Sequence, residues 1–289
     1  MACIEARGLR KRFRDRVALD GVDLSIGEGR VLGVIGPNGA GKSTLLQALL
    51  GLVPVEGELR VLGLDPWHAR ARLMRNVSFV TDVSSMPRWI RVAQAVDYMA
   101  AVQPAFERAK ADAFLARNGL RGGDRIESLS KGLVAQLQLA LAMSVDARLT
   151  VLDEPTLGLD VLARKRFFDA LLARAEEESR TLVIATHELD EVQHILTHVV
   201  VLQEGRPILS CSMDDLQARF IEVAVHPDHL DVARTMDPLH ERPTLGGSTL
   251  LFDGGDVDRI NLLGTLRTPS LATVCTVLLE LEQPAGQVA

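Results

Sequence analysis

The sequence is poor in the features that would assign it to several classes at once. Its 289 residues include 3 cysteines. Cys3, Cys211 and Cys275 are odd in number, far apart and in no metal-ligand spacing, so they form no disulfide framework and read as ordinary thiols of a reducing compartment. No stretch reaches the roughly 18 uncharged apolar residues of a membrane span, so any membrane role has to come through a partner. Met1 to Arg7 holds no apolar h-region, and no signal peptide is expected. Basic charge is not in excess either: the formal net charge is −6, which argues against a nucleic-acid binder. Coiled-coil heptads are missing. What is present, 47% hydrophobic and 24% charged residues, is ordinary globular composition. It suffices for one large domain, or for a domain of about 200 residues with a smaller one.

One stretch organises the rest. Gly36-Pro37-Asn38-Gly39-Ala40-Gly41-Lys42-Ser43-Thr44 fits the P-loop pattern G-x-x-x-x-G-K-[ST] at every fixed position. The apolar, β-branched run Arg30 to Ile35 before it predicts a buried parallel strand. Ser43 to Leu50 after it is helix-forming, with Gly51 as the stop. Strand, glycine-rich turn and helix start gather backbone N–H groups and a positive helix end around one point, which is a phosphate site. Lys42 would reach the β- and γ-phosphates of a nucleotide, and the Ser43 hydroxyl would ligate Mg²⁺.

The segments around this unit alternate between strand and helix. A strand around Cys3 to Ala6 opens the chain and runs into a basic cluster, Arg7 to Arg16, whose simplest reading is a solvated face. Phe13 within it offers a flat surface on which an adenine ring can stack. Short strands follow at Glu58–Val61 and Asn76–Val80, the second ending at Thr81-Asp82. The character then changes: Ser84 to Trp89 is turn-rich, and Val92–Val102 and Ala105–Leu120 carry apolar residues at helical intervals. A third helix starts near Ser130 and runs to Met143.

Alternation resumes with an apolar strand, Leu149–Leu152, ending in Asp153-Glu154. Carboxylates at the C-terminal edge of a parallel strand face the crevice where open α/β sheets bind ligands. Asp153 fits the acid that holds Mg²⁺ beside a P-loop, and Glu154 is placed to accept a proton from, or orient, an attacking water. The strand Thr181–Ala185 delivers Thr186-His187 to the same edge, where His187 can donate to a γ-phosphate. Glu188–Leu196 is expected to be helical and His198–Leu202 to close the sheet.

With these residues in place, the chain resembles the nucleotide-binding subunit of an ATP-binding cassette (ABC) transporter, over roughly Ile4 to Ser210. Phe13 resembles the adenine-stacking aromatic, and Gly36 to Thr44 the P-loop. Leu129-Ser130-Lys131-Gly132 resembles the start of the LSGGQ signature, and Leu149 to Glu154 the Walker B strand. Asp160 resembles the D-loop acid and His187 the switch histidine. The resemblance implies a P-loop α/β cassette with a mixed sheet core, an N-terminal antiparallel β subdomain and an α-helical signature subdomain. It implies an ATPase using ATP and Mg²⁺, with Lys42, Glu154 and His187 in catalysis. The nucleotide would be held by Phe13, Gly36, Asn38, Gly39, Ala40, Gly41, Lys42, Ser43 and Thr44, with Ser130, Gly132 and Asp160 contributed across a dimer. Ser43, Asp153 and Asp82 would face the metal.

The sequence departs from the family pattern in two places. Asp82 stands where the family has a glutamine; it can accept from metal-bound water but cannot donate. In the signature, Lys131 replaces a glycine and Leu133 the final glutamine. The implied partners are a second ATP-binding subunit, identical or related, and a transmembrane permease, which would hold the chain in the cytoplasm against the inner face of the membrane. Met86, Trp89 and Ile90 are the candidate permease contacts, and no nucleic-acid partner is expected. The short insertion and serine–lysine signature resemble exporter-type drug- or peptide-resistance cassettes. Two alternatives stand beside this reading: an ABC ATPase acting on ribosomes or nucleic acid, and a regulatory sensor that binds ATP but barely hydrolyses it.

The expected division is a cassette over residues 1–212, with its helical subdomain at about 84–145, and a small α/β appendage over 213–289. In the appendage, helices are expected at Met213–Phe220, Val232–Met236, Val257–Leu266 and Ser270–Leu281, and strands at Ile221–Val225 and Ser248–Phe252. No chemistry is legible in that segment.

Overall fold

The structure, a computed structural model, describes residues 2–80, 86–156, 159–175 and 180–282. Asp82, Leu157 and Gly158 lie outside the described residues, and so does the expected metal contact of Asp82.

The chain opens with two long antiparallel strands, β1 (Ala2–Phe13) and β2 (Arg16–Gly27), joined by a tight turn. The first strand runs well past the expected Cys3–Ala6, because the basic cluster forms its exposed half. Arg7 and Arg10 there pair with Glu58 and Asp20 at 3.9 and 3.4 Å. The P-loop strand β3 (Val31–Ile35) and helix α1 (Lys42–Leu49) follow. Next come β4 (Glu56–Val61), which pairs with β1 to complete a three-stranded antiparallel sheet, the short α2 (Arg70–Leu73) and β5 (Val77–Val80).

A helical layer is then inserted: α3 (Val92–Val102), α4 (Arg108–Arg117) and α5 (Lys131–Met143). It has a core of its own, with Val92, Val96, Leu115, Ile126, Leu137 and Leu141 buried together. The second of these helices starts at Arg108 and not at Ala105, because Phe106 forms a β-bridge with Val145 and the Glu107 N–H donates to the Ser144 carbonyl at 2.7 Å, which keeps the chain extended up to Glu107.

The remaining strands and helices of the cassette are β6 (Leu149–Asp153), α6 (Val161–Ala175), β7 (Thr181–Ala185), α7 (Leu189–Val192), β8 (His198–Gln203) and β9 (Arg206–Ser212). They complete a six-stranded sheet of order β5-β6-β7-β3-β8-β9, parallel except for β9. The strands β3 and β7 are buried at every residue, as parallel strands covered on both faces must be, and so are the first four residues of β6. This order places the C-terminal ends of β6, β7 and β3 side by side, so Asp153, Thr186 and Gly36 leave one edge of the sheet.

Beyond Ser212 run α8 (Met213–Arg219), β10 (Phe220–Val225), α9 (Leu230–Arg234), β11 (His240–Thr244), β12 (Gly247–Asp253), α10 (Val257–Asn261), β13 (Gly264–Arg267) and α11 (Leu271–Leu281). The four strands form a separate antiparallel sheet of order β11-β12-β10-β13, the β-α-β-β-α-β arrangement called ferredoxin-like. The helix expected over Val257–Leu266 therefore stops at Asn261 and its second half is a strand. Gly264 allows this: a Cβ there would stand 1.9 Å from the Ala224 carbonyl oxygen, so only glycine lets the strands approach. This segment shares one buried core with the large sheet, in which Phe220, Leu251, Leu271 and Val274 pack with Val192, Ile195 and Val199.

Candidate functional site

The P-loop wraps the start of α1, and no side chain caps that helix end. Gly41 at the cap has φ of 110°, and a Cβ on it would meet the Ala18 carbonyl oxygen at 2.5 Å. Position 41 is therefore closed to any other residue on both counts. At Gly36 a Cβ would lie 2.2 Å from the Leu202 carbonyl oxygen. The loop also leans on its neighbours: the Gly205 N–H donates to the Ala40 carbonyl (2.9 Å), and Asp20 N–H to that of Gly205 (2.8 Å).

Lys42 is buried, with Nζ donating to the carbonyls of Gly36 (2.6 Å) and Pro37 (3.3 Å). A buried cation held by carbonyl dipoles, with a carboxylate 4.0 Å away, stabilises an anion brought into the loop. That carboxylate belongs to Glu154, whose Oε1 stands 4.0 Å from Lys42 Nζ. The other oxygen, Oε2, lies 2.8 Å from His187 Nδ1. Glu154 has a left-handed backbone, φ 46°, a conformation that costs a non-glycine residue about 1–2 kcal/mol. Its N–H donates to the Ala185 carbonyl at 2.9 Å, which holds the turn against β7. Asp153 precedes it at the end of β6.

A cavity of about 250 Å³ is lined by Phe13, Asn38, Gly39, Gly41, Lys42, Ser43, Thr44, Asp153 and Glu154, joined by Arg16, Ala18 and Pro37. Most of the residues expected to hold nucleotide and metal thus meet in one place. Gly36 and Ala40 shape the loop from behind, and His187 reaches the site through Glu154. Ser130, Gly132 and Asp160 do not line the cavity. Ser130 caps α5, its Oγ accepting from Leu133 N–H at 3.2 Å, and is exposed with Lys131 beside it. Asp160 caps the start of α6, accepting from Ala163 N–H at 2.8 Å.

Arg16 was legible only as part of a solvated basic face, yet it reaches over the loop and donates to the Gly39 carbonyl at 2.6 Å. Its one signal in the sequence is its position three residues past Phe13. The Phe13 ring is partly exposed and carries Lys11 Nζ 4.9 Å from its centre. A second group that sequence reading missed links the strand ends. Glu188 pairs with Arg164 (3.0 Å) and accepts from Thr156 Oγ1 (3.3 Å), tying the turn after β6 to the one after β7.

The expected partner contacts divide. Trp89 is 73% exposed, whereas Ile90 packs into the core of the helical layer. Met86 touches that core and also lines a groove of about 520 Å³ with Phe79, Tyr98, Met99 and Val102, between β5 and the helical layer. Among the described residues no helix is long and apolar enough to cross a membrane.

A parallel sheet with a P-loop at its edge, an acid pair on the neighbouring strand end and an inserted helical layer defines a nucleotide-binding cassette. A family model described as ABC transporter matches residues 19–157. The chain is 32% identical over 263 residues to the Nod factor export ATP-binding protein I of Cupriavidus metallidurans, covering 87% of this chain and 86% of that protein. It is 33% identical over 272 residues to the cobalamin import ATP-binding protein BtuD of Halobacterium salinarum, covering 88% and 68%. Among solved structures, cbiO1 from Clostridium perfringens, part of the ABC transporter complex cbiONQ, aligns with a TM-score of 0.62 and 27% identity over 74% of this chain and 90% of that one. A dimeric ATP-binding cassette in a post-hydrolysis state, bound to ADP and Pi, shares the fold with a TM-score of 0.64, 21% identity and coverage of 73% and 98%. The chain belongs to the ABC transporter family, as an ATP-binding subunit, and is an ATPase.

Proposed function

We propose that this subunit hydrolyses ATP between two copies of itself and thereby drives export through a separate membrane permease. The observation that carries the reading is the position of Glu154, between a buried P-loop lysine and the strand-end histidine. In this account Phe13 stacks the adenine and the P-loop amides of Asn38 to Thr44 hold the phosphates. Lys42 neutralises charge on the β- and γ-phosphates. Glu154 orients the attacking water and takes its proton, while His187 holds that carboxylate and faces the γ-phosphate.

Ser43 and Asp153 fit a Mg²⁺ site. They offer a hydroxyl and a carboxylate, hard oxygen ligands, in the same cavity. Among the described residues no group of three or more acid, histidine or cysteine side chains forms a metal cluster of its own. A metal at Ser43 and Asp153 would be shared with the nucleotide, where it would supply charge neutralisation of the phosphates.

Ser130, Gly132 and Asp160 fall outside the cavity of their own chain because they serve the partner's nucleotide. The exposed start of α5, capped by Ser130, is the phosphate-facing tip. The cassette covers residues 1–212, with the helical subdomain at about 84–145, and the accessory domain residues 213–289. The groove beside Met86, with the exposed Trp89 near it, receives the permease. Export is favoured over import by the Nod factor export relatives, matched at 30–33% identity over most of their length. In the cell the chain would then lie on the cytoplasmic face of the membrane.

Affinity capture from detergent-solubilised membranes tests the assignment. The expected result is a multi-span membrane protein recovered with the chain; RNA or DNA in its place would overturn it. Direction is read separately: inside-out vesicles holding the complex are expected to accumulate the transported compound on adding ATP.

A further inference from the structure

The sheet of the C-terminal segment has one face covered by its own two helices and one face only partly covered. On the first face Val223, Val225, Leu250 and Phe252 pack with Ala233 of α9 and Ile260 of α10. Side chains alternate along each strand, so Glu222 and Ala224 fall on the other face. Register places His240, Leu251 and Glu222 side by side across β11, β12 and β10, with Arg242, Thr249 and Ala224 in the adjacent row. Helix α11 crosses this face, its inner side buried through Leu271, Val274 and Cys275.

Between them lies a cavity of about 370 Å³, lined among others by Glu222, His240, Arg242 and Thr249 from the sheet and by Glu280 from the helix. This is the size range of small-molecule sites, with room for a ligand of about ten non-hydrogen atoms. Glu222 and His240 are partly buried, Arg242 and Glu280 are exposed at the cavity mouth, and none of the four has an ion pair or side-chain hydrogen bond among the described residues. Arg267 stands opposite Glu222 on β13 but does not line the cavity. Elsewhere in the same segment, charges are matched internally: Arg234 pairs with Glu241, and Arg219 with Asp253. Two carboxylates against one guanidinium leave the cavity one unit negative, with His240 counted neutral. The partly desolvated carboxylate of Glu222 gains most from a ligand that supplies the opposite charge, and the two exposed groups at the mouth can complete the set.

We propose that this cavity binds a free dibasic amino acid, its α-carboxylate on Arg242 and its two cationic groups on Glu222 and Glu280. That ligand class carries one anionic and two cationic groups, the complement of the three charged residues. His240 and Thr249 add hydrogen-bonding atoms on the side of Arg242. The roof helix is tied to the cassette, because Leu271 N–H donates to Gln193 Oε1 at 3.2 Å, just past α7 and six residues from His187. A ligand that stiffens α11 therefore bears on the strand-end histidine through one short helix.

Isothermal titration of the full chain with L-arginine and L-lysine tests the proposal, with agmatine, which lacks the carboxylate, and L-norleucine, which lacks the side-chain charge, as controls. At least one of the two amino acids is expected to bind saturably at a single site, with both controls about tenfold weaker or more. Glu222→Gln and Arg242→Ala are each expected to weaken binding by about tenfold or more. Glu280→Gln, at an exposed position on α11, provides a variant with no expected cost to folding and is expected to act in the same direction. ATP binding, measured on the same samples, separates this site from the nucleotide site and is expected to be unchanged. No saturable binding of either amino acid at millimolar concentration, equal binding of norleucine, or wild-type affinity in the Glu280→Gln protein would overturn the proposal.

Discussion

His187 Nδ1 lies 2.8 Å from Glu154 Oε2, across two neighbouring parallel strand ends. The two residues are 33 positions apart in the chain, and neither is held by a helix. Their meeting follows from strand order alone, since β6 and β7 pair in register from Leu149–Thr181 to Asp153–Ala185. The left-handed turn at Glu154 then aims its carboxylate at the histidine on one side and at Lys42 on the other.

That contact predicts a separation of binding from chemistry. His187→Ala is expected to lower kcat by about 10²-fold while ATP affinity stays close to wild type, because in the proposed mechanism the histidine acts through Glu154 and on the γ-phosphate only as the reaction proceeds. Steady-state ATPase kinetics beside equilibrium nucleotide binding check this. A matched loss of affinity and turnover would mean that the residue only supports the fold.

The Phe13 end of the pocket, proposed to take the adenine, gives a prediction of the opposite kind. Phe13→Ala removes the stacking surface, worth about 1–3 kcal/mol per base, and should raise the dissociation constant for ATP by roughly tenfold, with Phe13→Tyr near wild type. Arg16→Ala removes the donor on the Gly39 carbonyl. As an exposed charge-assisted bond it should cost no more than about tenfold in affinity. Fluorescent-nucleotide titration reads both.

The C-terminal segment has its own pH dependence. Arg234 first, then the Ser248 hydroxyl, hold the Glu241 carboxyl down at about 2, against 4.5 for the free group. As pH falls the unfolded chain takes up this proton first. The stability the carboxylate contributes is therefore complete above about pH 4.5 and is lost as pH falls towards about 2. Urea titrations from pH 6 downward are expected to show Glu241→Gln less stable than wild type near neutrality, and the two curves converging at the acid end.

The parts of the molecule differed in how much they disclosed in advance. The P-loop, Asp153-Glu154 and His187 were legible because each closes a strand buried at nearly every position, whose apolar run cannot be mistaken. The C-terminal segment was read less well. Val257–Leu266 has helical spacing throughout, and only the approach of Gly264 to the Ala224 carbonyl turns its second half into a strand. The strands β11 and β13 are mostly polar, so their places in the sheet depend on pairing with β12 and β10 and not on their own pattern. Arg16 was hidden for another reason. Its partner is a backbone carbonyl 23 residues away, and no residue type marks a carbonyl.

The central claim is that two copies of the chain enclose ATP, the lysine-bearing loop of one facing the serine-capped helix of the other. Sedimentation velocity of the Glu154→Gln protein tests it most directly, since this variant should bind ATP without consuming it. With Mg²⁺-ATP the account predicts a shift from monomer to dimer that ADP does not produce and that Ser130→Asp abolishes while leaving ATP binding by the monomer intact. A Glu154→Gln protein that binds ATP yet stays monomeric, or a dimer indifferent to Ser130→Asp, would contradict it.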